Sequence, residues 1–202
     1  MKDFKKYVEF LLGIFIMSFG AVLASKTNVG VAPWDAINFG LSKTFGIMST
    51  GRWIIFCSLI ALIIAAFIEK KFIKITSFIT SIIIGLFIDF WIYVLNPLVI
   101  NGVLSKYLIF VVALVIVSIG LSIYLFPNLP AYPIDHLMVV FKNKFNLKIM
   151  HAKLLMDGIC VIVALLFKGP VGIGTISFAL LMGPGINLWQ SILGKYLKKF
   201  IS

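Results

Sequence analysis

Charge is scarce in this sequence. Only 12% of its 202 residues are Asp, Glu, Lys or Arg, against 61% hydrophobic, and the mean hydropathy is +1.12. A soluble domain carries about 25% charge and about 45–50% apolar residues, so this chain cannot cover its apolar mass in water. Cysteine is nearly absent. Cys57 and Cys160 both sit inside apolar runs, which excludes a secreted disulfide scaffold and reads as small packing residues. The two histidines, His136 and His151, have no second ligand at a metal-binding spacing, which argues against zinc chemistry. Gly169–Gly174 is glycine-rich but lacks the Gly-Lys-Ser/Thr ending of a phosphate loop. No Ser–His–acid set and no pair of glycosidase-like carboxylates can be placed. The expectation is a protein that is not an enzyme and holds no cofactor or metal. Acids are few as well, 7 against 18 bases, for a net charge of +11. The bases lie between hydrophobic runs, where membrane-topology signals lie. The expected partner is therefore the lipid bilayer and not nucleic acid.

What the sequence has is six runs fit to span a membrane, which takes about 20 mostly apolar residues. They are Val8–Ala24, Trp53–Ile68, Ile75–Leu95, Tyr107–Phe126, Leu154–Phe167 and Val171–Gly194. The two short runs would be completed by Arg52 and Lys153 reaching the interface, and Glu9 is expected at headgroup level. No small-residue cleavage motif closes the first run, which reads as a retained helix. With six spans, one side receives Lys2, Lys5, Lys6, Lys70, Lys71, Lys74, Lys142, Lys144, Lys148, Lys153, Lys195, Lys198 and Lys199. The other receives Lys26, Lys43, Arg52, Lys106 and Lys168. The positive-inside rule puts the first set and both termini in the cytoplasm.

The chain also repeats itself. At an offset of 100, Lys6-Tyr7 meets Lys106-Tyr107, and Phe10, Ser18 and Gly20 meet Phe110, Ser118 and Gly120. Asn28, Pro33 and Asp35 meet Asn128, Pro133 and Asp135 without a gap. Apolar bias does not favour chance matches of Lys, Tyr, Asn, Pro and Asp. At an offset of 98, Gly85, Asp89 and Trp91 meet Gly183, Asn187 and Trp189. This predicts one all-helical membrane domain over 1–202 made of two repeats, about 1–100 and about 101–202. Three spans is an odd number, so the second repeat would enter from the opposite face. Inverted repeats are common in transporters, with the site near the midplane between them.

Thr27–Thr50 is too apolar for a solvated loop, with Asp35 and Lys43 its only charges. From Pro33, the spacing of Trp34, Ile37, Leu41 and Phe45 predicts a short helix with one apolar face. After Pro133, Ile134, Leu137, Met138, Phe141 and Phe145 make the same face. Proline suits the first helical turn, and the acid two residues later suits the positive end of the dipole. Each segment would lie along the interface or dip inward as a re-entrant half-helix buried in protein. If both dip, their N-termini would approach each other.

Val29-Gly30-Val31-Ala32-Pro33-Trp34-Asp35 resembles the Gly-x-x-Pro-Trp-Asp signature of the YczE/YyaS/YitT family of bacterial membrane proteins. Gly172-Ile173-Gly174-Thr175, followed by Gly183-Pro184, resembles that family's second signature. The resemblance covers nearly the whole chain and implies a multi-span protein of the cytoplasmic membrane. Longer YitT-type members carry a soluble C-terminal domain; this chain is expected to lack it, so no function of that domain is carried over.

Charges inside spans cost on the order of 2.5–3.5 kcal/mol on insertion scales, so four acids need an account. Asp35 and Asp135 recur beside Pro33 and Pro133 and read either as helix-end acids or as a pair that binds a cation or carries a proton. Asp89 and its repeat mate Asn187 read as interhelical hydrogen-bonding groups or as polar lining of a pathway. Asp157 lies four residues after Lys153, on the same face, and reads as an ion pair. Pro184, inside the last run, reads as a kink or as a break that exposes carbonyls to a ligand. The leading functional reading is a small secondary transporter or permease for an unidentified small solute. Its binding residues would be Asp35, Asp135, Asp89, Asn187, Pro33, Pro133, Trp34 and Pro184, with a proton or cation as coupling partner. The alternative is a non-transporting membrane factor for assembly or anchoring.

Overall fold

A computed structural model of the chain describes residues 2–70, 72, 75–130 and 132–201, with side chains described from 4 to 194. Lys71 and Lys74 of the basic set, and the side chains of Lys2, Lys195, Lys198 and Lys199, lie outside that description. The described residues form eight helices and no strand. They are α1 (Lys2–Thr27), α2 (Pro33–Phe45), α3 (Thr50–Glu69), α4 (Ile75–Val94), α5 (Val103–Leu125), α6 (Pro133–Lys144), α7 (Ile149–Leu166) and α8 (Ile173–Ile201). Six of these are long and apolar enough to cross a membrane: α1, α3, α4, α5, α7 and α8. Each leaves large aliphatic side chains exposed, among them Leu12, Ile63, Leu86, Leu108, Ile162 and Leu180. A water-soluble protein does not tolerate such surface, and lipid requires it. The two runs that looked short are helical through Arg52 and Lys153, so no shortfall remains.

The chain divides into two compact units, and neither follows a half of the sequence. One comprises Met1–Ala32, Phe90–Leu129 and Gly172–Ser202; the other comprises Pro33–Asp89 and Pro130–Val171. The first unit is built on α1 against α5, which run antiparallel. Gly13 faces Gly120 and Tyr124, while Gly20 faces Ala113 and Val117. A methyl group on Gly13 would strike the Tyr124 backbone, and one on Gly120 would strike the Met17 backbone. Without a hydrophobic driving force in lipid, helices associate by such close backbone approach at small residues. Phe10 stacks on Tyr124 at 5.3 Å, and Trp91, at the end of α4, donates its indole N–H to the Phe15 carbonyl at 3.1 Å.

In the second unit α2 packs on α7 and α3, and α6 packs on α3 and α7. Ala61 and Ala65 of α3, Leu137 and Val140 of α6 and Met156 of α7 form its core, with Trp34, Ile134, Met138 and Phe141 against it. The apolar faces expected on the two short helices therefore meet protein. Only their last residues, Phe45 and Phe145, are exposed.

Helix ends recur in pairs. Left-handed backbone closes α1 at Asn28 (φ 55°) and α5 at Asn128 (φ 53°). It follows α2 at Gly46 (φ 64°) and α6 at Asn146 (φ 51°), caps α3 at Lys70 (φ 54°) and follows α7 at Lys168 (φ 54°). Asn and Gly tolerate this region, whereas Lys does so only under constraint. The pairs sit at the sequence offsets of the repeat: 100, 100 and 98.

Two residues singled out in the sequence find their place here. Glu9, expected at headgroup level, is buried against protein. It is 2% exposed, and neither carboxylate oxygen has a partner among the described residues, because its place on α1 faces the packed side. Gly183 and Pro184 do not break the last span. α8 is helical throughout, with Pro184 inside it. Close packing accounts for Gly172, Gly174 and Gly185 but not for Gly183, around which there is open space.

Candidate functional site

The N-terminal ends of α2 and α6 meet. Pro33 and Pro133 each occupy the first turn, where the missing N–H costs nothing and φ is already helical. Trp34 follows Pro33 and donates its indole N–H to the hydroxyl of Tyr132, at the N-cap of α6, across 2.7 Å. The two rings lie edge to face, with centroids 6.3 Å apart. Asp35 and Asp135 stand in the first turns of the two helices, half-buried, and both carboxyl groups are within electrostatic reach of Tyr132. Two convergent helix N-termini bring two partial positive charges together, which repel unless negative charge is supplied. The two acids supply it when ionised.

Polar groups continue around this point. Asn38, fully buried, donates its amide to the Trp34 carbonyl at 2.8 Å, and its Oδ1 has no partner among the described residues. Lys153 and Asp157 of α7 are within electrostatic reach of Asp135 and are themselves paired at 2.8 Å. The pairing accounts for Asp157 as its spacing suggested. The result is a cluster of two acids, a hydroxyl, an amide oxygen and one cation-bearing pair, held at two helix starts by prolines.

The remaining sequence candidates lie elsewhere. Asp89, near the end of α4, accepts the Ser49 hydroxyl at 2.5 Å and the Gly51 N–H at 2.7 Å. Ser49 in turn caps α3 by accepting the Arg52 N–H at 3.3 Å. Asp89 thus ties α4 to the start of α3, where Gly51 and Gly85 bring the two backbones together. Asp89→Ala leaves a hydroxyl and an N–H without their acceptor, which costs about 2–3 kcal/mol. A lowered unfolding temperature in detergent, largely restored by Asp89→Asn, is the expected outcome. Asn187 and Pro184 are exposed on α8.

The two quoted signatures touch each other at a different point. The Gly174 N–H donates to the Val29 carbonyl at 3.0 Å, and Gly172 also abuts that carbonyl. Gly30 (φ 139°) lies against the backbone and hydroxyl of Thr175. Gly169 abuts the Ala36 carbonyl. The glycines of Gly169–Gly174 thus serve close backbone approach to the loop that launches α2.

Sequence reasoning missed Tyr132, Asn38 and Ser49. Tyr132 has no repeat mate, since Ala32 stands at the equivalent position. Its one signal was its place directly before Pro133. It also missed the contact of His136 Nε2 with Glu69 at 3.4 Å, which links α6 to the end of α3.

Among known proteins, the chain is 33% identical over 192 residues to the uncharacterized protein YyaS of Bacillus subtilis strain 168, covering 95% of each chain. It is 27% identical over 179 residues to the uncharacterized membrane protein YczE of the same strain, covering 88% of this chain and 82% of that one. An uncharacterized protein of Haemophilus influenzae strain Rd is 23% identical over 194 residues, 96% of this chain and 87% of that one. No solved structure matches. The family of unknown function DUF6198 matches residues 4–191, signatures and helix pairs included. The chain therefore belongs to that family and is a membrane protein of the YczE/YyaS type.

Proposed function

We propose that this protein is a small secondary transporter of the bacterial cytoplasmic membrane. In this reading it is built from two inverted three-span repeats and carries a small amphipathic organic solute coupled to a proton or cation. The observation that carries the reading is the meeting of the α2 and α6 N-termini at the Trp34–Tyr132 hydrogen bond, with one acid from each helix beside it. Discontinuous helices whose ends converge are how transporter folds build a polar site in apolar surroundings. Irregular backbone at membrane depth is tolerated only where protein buries it or water reaches it, and α2 and α6 are packed on α3 and α7. The aromatic pair beside the acids favours an amphipathic organic solute over a bare ion.

The inverted arrangement has two supports. Left-handed residues recur at the repeat offsets after three helix pairs. The α1–α5 contact is reciprocal: Gly20 meets Val117 and Ala113, and Gly120 meets Met17 and Gly13. Adding or subtracting 100 turns one set into the other. Two equivalent antiparallel helices with reciprocal contacts are related by a two-fold axis perpendicular to them, which lies in the membrane plane if both span.

Orientation follows from the basic split. In a background lacking Cys57 and Cys160, single cysteines at Ser202 and Lys71 are expected to resist impermeant maleimide in intact cells, and those at Lys43 and Asn101 to react. A labelled C-terminus overturns the orientation. The transport reading itself is tested by a thermal-shift screen of the purified protein across small-metabolite classes and pH, followed by uptake into proteoliposomes with an imposed pH gradient. A solute that stabilises the protein and accumulates with the gradient supports it; stabilising solutes that never cross overturn it.

A further inference from the structure

At the far end of the second unit, the end of α3 and the end of α6 leave an open cleft of about 780 Å³, lined by Ala66, Phe67, Lys70, Phe72, Phe141, Lys144 and Phe145 among others. Its chemistry is divided. Phe67 and Phe72 are 85% and 99% exposed, a degree that water does not favour for aromatic rings. Lys70 and Lys144 are exposed, and neither is paired with a carboxylate among the described residues. The nearest acid in sequence, Glu69, is engaged by His136 at 3.4 Å. The cleft therefore presents two free cations above an aromatic wall.

The equivalent place on α2 is closed. Thr44, at the repeat position of Lys144, donates its hydroxyl to the Phe167 carbonyl at 2.7 Å. Phe45, at the position of Phe145, stacks on Phe167 with centroids 5.7 Å apart. Gly40 and Gly169 let α2 and α7 touch there, whereas α6 carries Val140 at the position of Gly40. Only one of two matching helix pairs is left open, and it is the one that carries lysines.

We propose that this cleft binds an anionic phospholipid of the bilayer, its phosphate between Lys70 and Lys144 and its glycerol and upper acyl chain on Phe67, Phe72, Phe141 and Phe145. Basic pockets between spanning helices attract anionic headgroups, and aromatic rings settle at headgroup depth. Lys142, two residues before Lys144 on α6, adds to the local positive field. The inference needs only that the chain lies in a membrane and is independent of transport.

The test is lipid selectivity in vesicles of phosphatidylglycerol and phosphatidylcholine, read by electron spin resonance of spin-labelled lipids at the protein surface. The wild-type protein is expected to prefer phosphatidylglycerol. Lys70→Gln with Lys144→Gln is expected to lower the relative association constant by roughly fivefold per lysine. The Lys70→Arg, Lys144→Arg pair is expected to keep it, which shows that the fold survives substitution. Lys43→Gln with Lys168→Gln is expected to change little. An unchanged preference in the first pair, or an equal loss in the Lys43 and Lys168 pair, overturns the site. Loss of the preference on adding soluble glycerol phosphate overturns a lipid as its occupant.

Discussion

Substituting Asn for both Asp35 and Asp135 is expected to abolish gradient-driven uptake while the protein still folds and reaches the membrane. Asn replaces Asp at a helix start with little loss of capping ability. What disappears is the negative charge at the dipole end, worth about 0.3–1 kcal/mol per helix at exposed sites and more where partly buried. A purely structural role therefore predicts a modest drop in unfolding temperature and unchanged uptake. A role in binding a cation or carrying a proton predicts loss of uptake, and loss of pH dependence in solute binding, at near-normal stability. Each single variant separates the two acids. Asp135 has Lys153 and Asp157 within electrostatic reach, so Asp135→Asn also changes what the Lys153–Asp157 pair faces. Asp35→Asn has no such side effect and is the cleaner measurement. Normal, pH-dependent uptake by the double variant removes both acids from the mechanism. Asp89 would not take their place, because its hydrogen bonds to Ser49 and Gly51 already account for a carboxylate there.

Pattern in the sequence carried most of the fold. Runs of apolar residues mark spans because lipid leaves backbone groups no partner outside the helix, and all six expected runs coincide with helices. Pro33 and Pro133 marked the starts of the short helices, since proline is pre-set for the first turn. Their burial was not legible. An apolar face at helical spacing looks the same whether it meets lipid or protein, and only the packing of Leu137, Val140 and Trp34 against α3 and α7 decides it. Asp35 and Asp135 were found because they repeat; Tyr132 was not, because its role depends on one hydrogen bond across 98 residues. Pro184 left two readings open, a kink or a break. Proline removes one hydrogen bond and kinks a helix in water, but in membranes neighbouring polar groups absorb the loss. Pro184 leaves the Leu180 carbonyl, four residues back, without its helical donor, yet α8 continues through it to Ile201.

The glycines of the α1–α5 crossing carry a large expected loss of stability. Gly120→Ala places a methyl group against the Met17 backbone and close to the Gly13 carbonyl, 2.9 Å away. Gly20→Ala places one 2.9 Å from the Val117 N and 3.0 Å from the Ala113 carbonyl. Backbone atoms cannot step aside as a side-chain tip can, so each helix must shift along its whole contact. Overpacking of this kind costs about 1–3 kcal/mol, and Gly120→Ala is expected at the upper end because its approach is the tighter. Gly158→Ala is the control. It lies within α7 with nothing within 4 Å of the added methyl, and replacing a mid-helix glycine with alanine there stabilises by about 0.5–1 kcal/mol. Thermal unfolding of the three purified variants in one detergent reads the order directly. Gly20→Ala and Gly120→Ala should both fall below the wild-type protein and Gly158→Ala should not. The comparison also bears on symmetry. Gly20 and Gly120 meet residues that differ by the repeat offset, so a two-fold relation requires both to be intolerant. If one accepts alanine freely and the other does not, the crossing is not reciprocal in energy. The inverted repeat would then lose its best physical support.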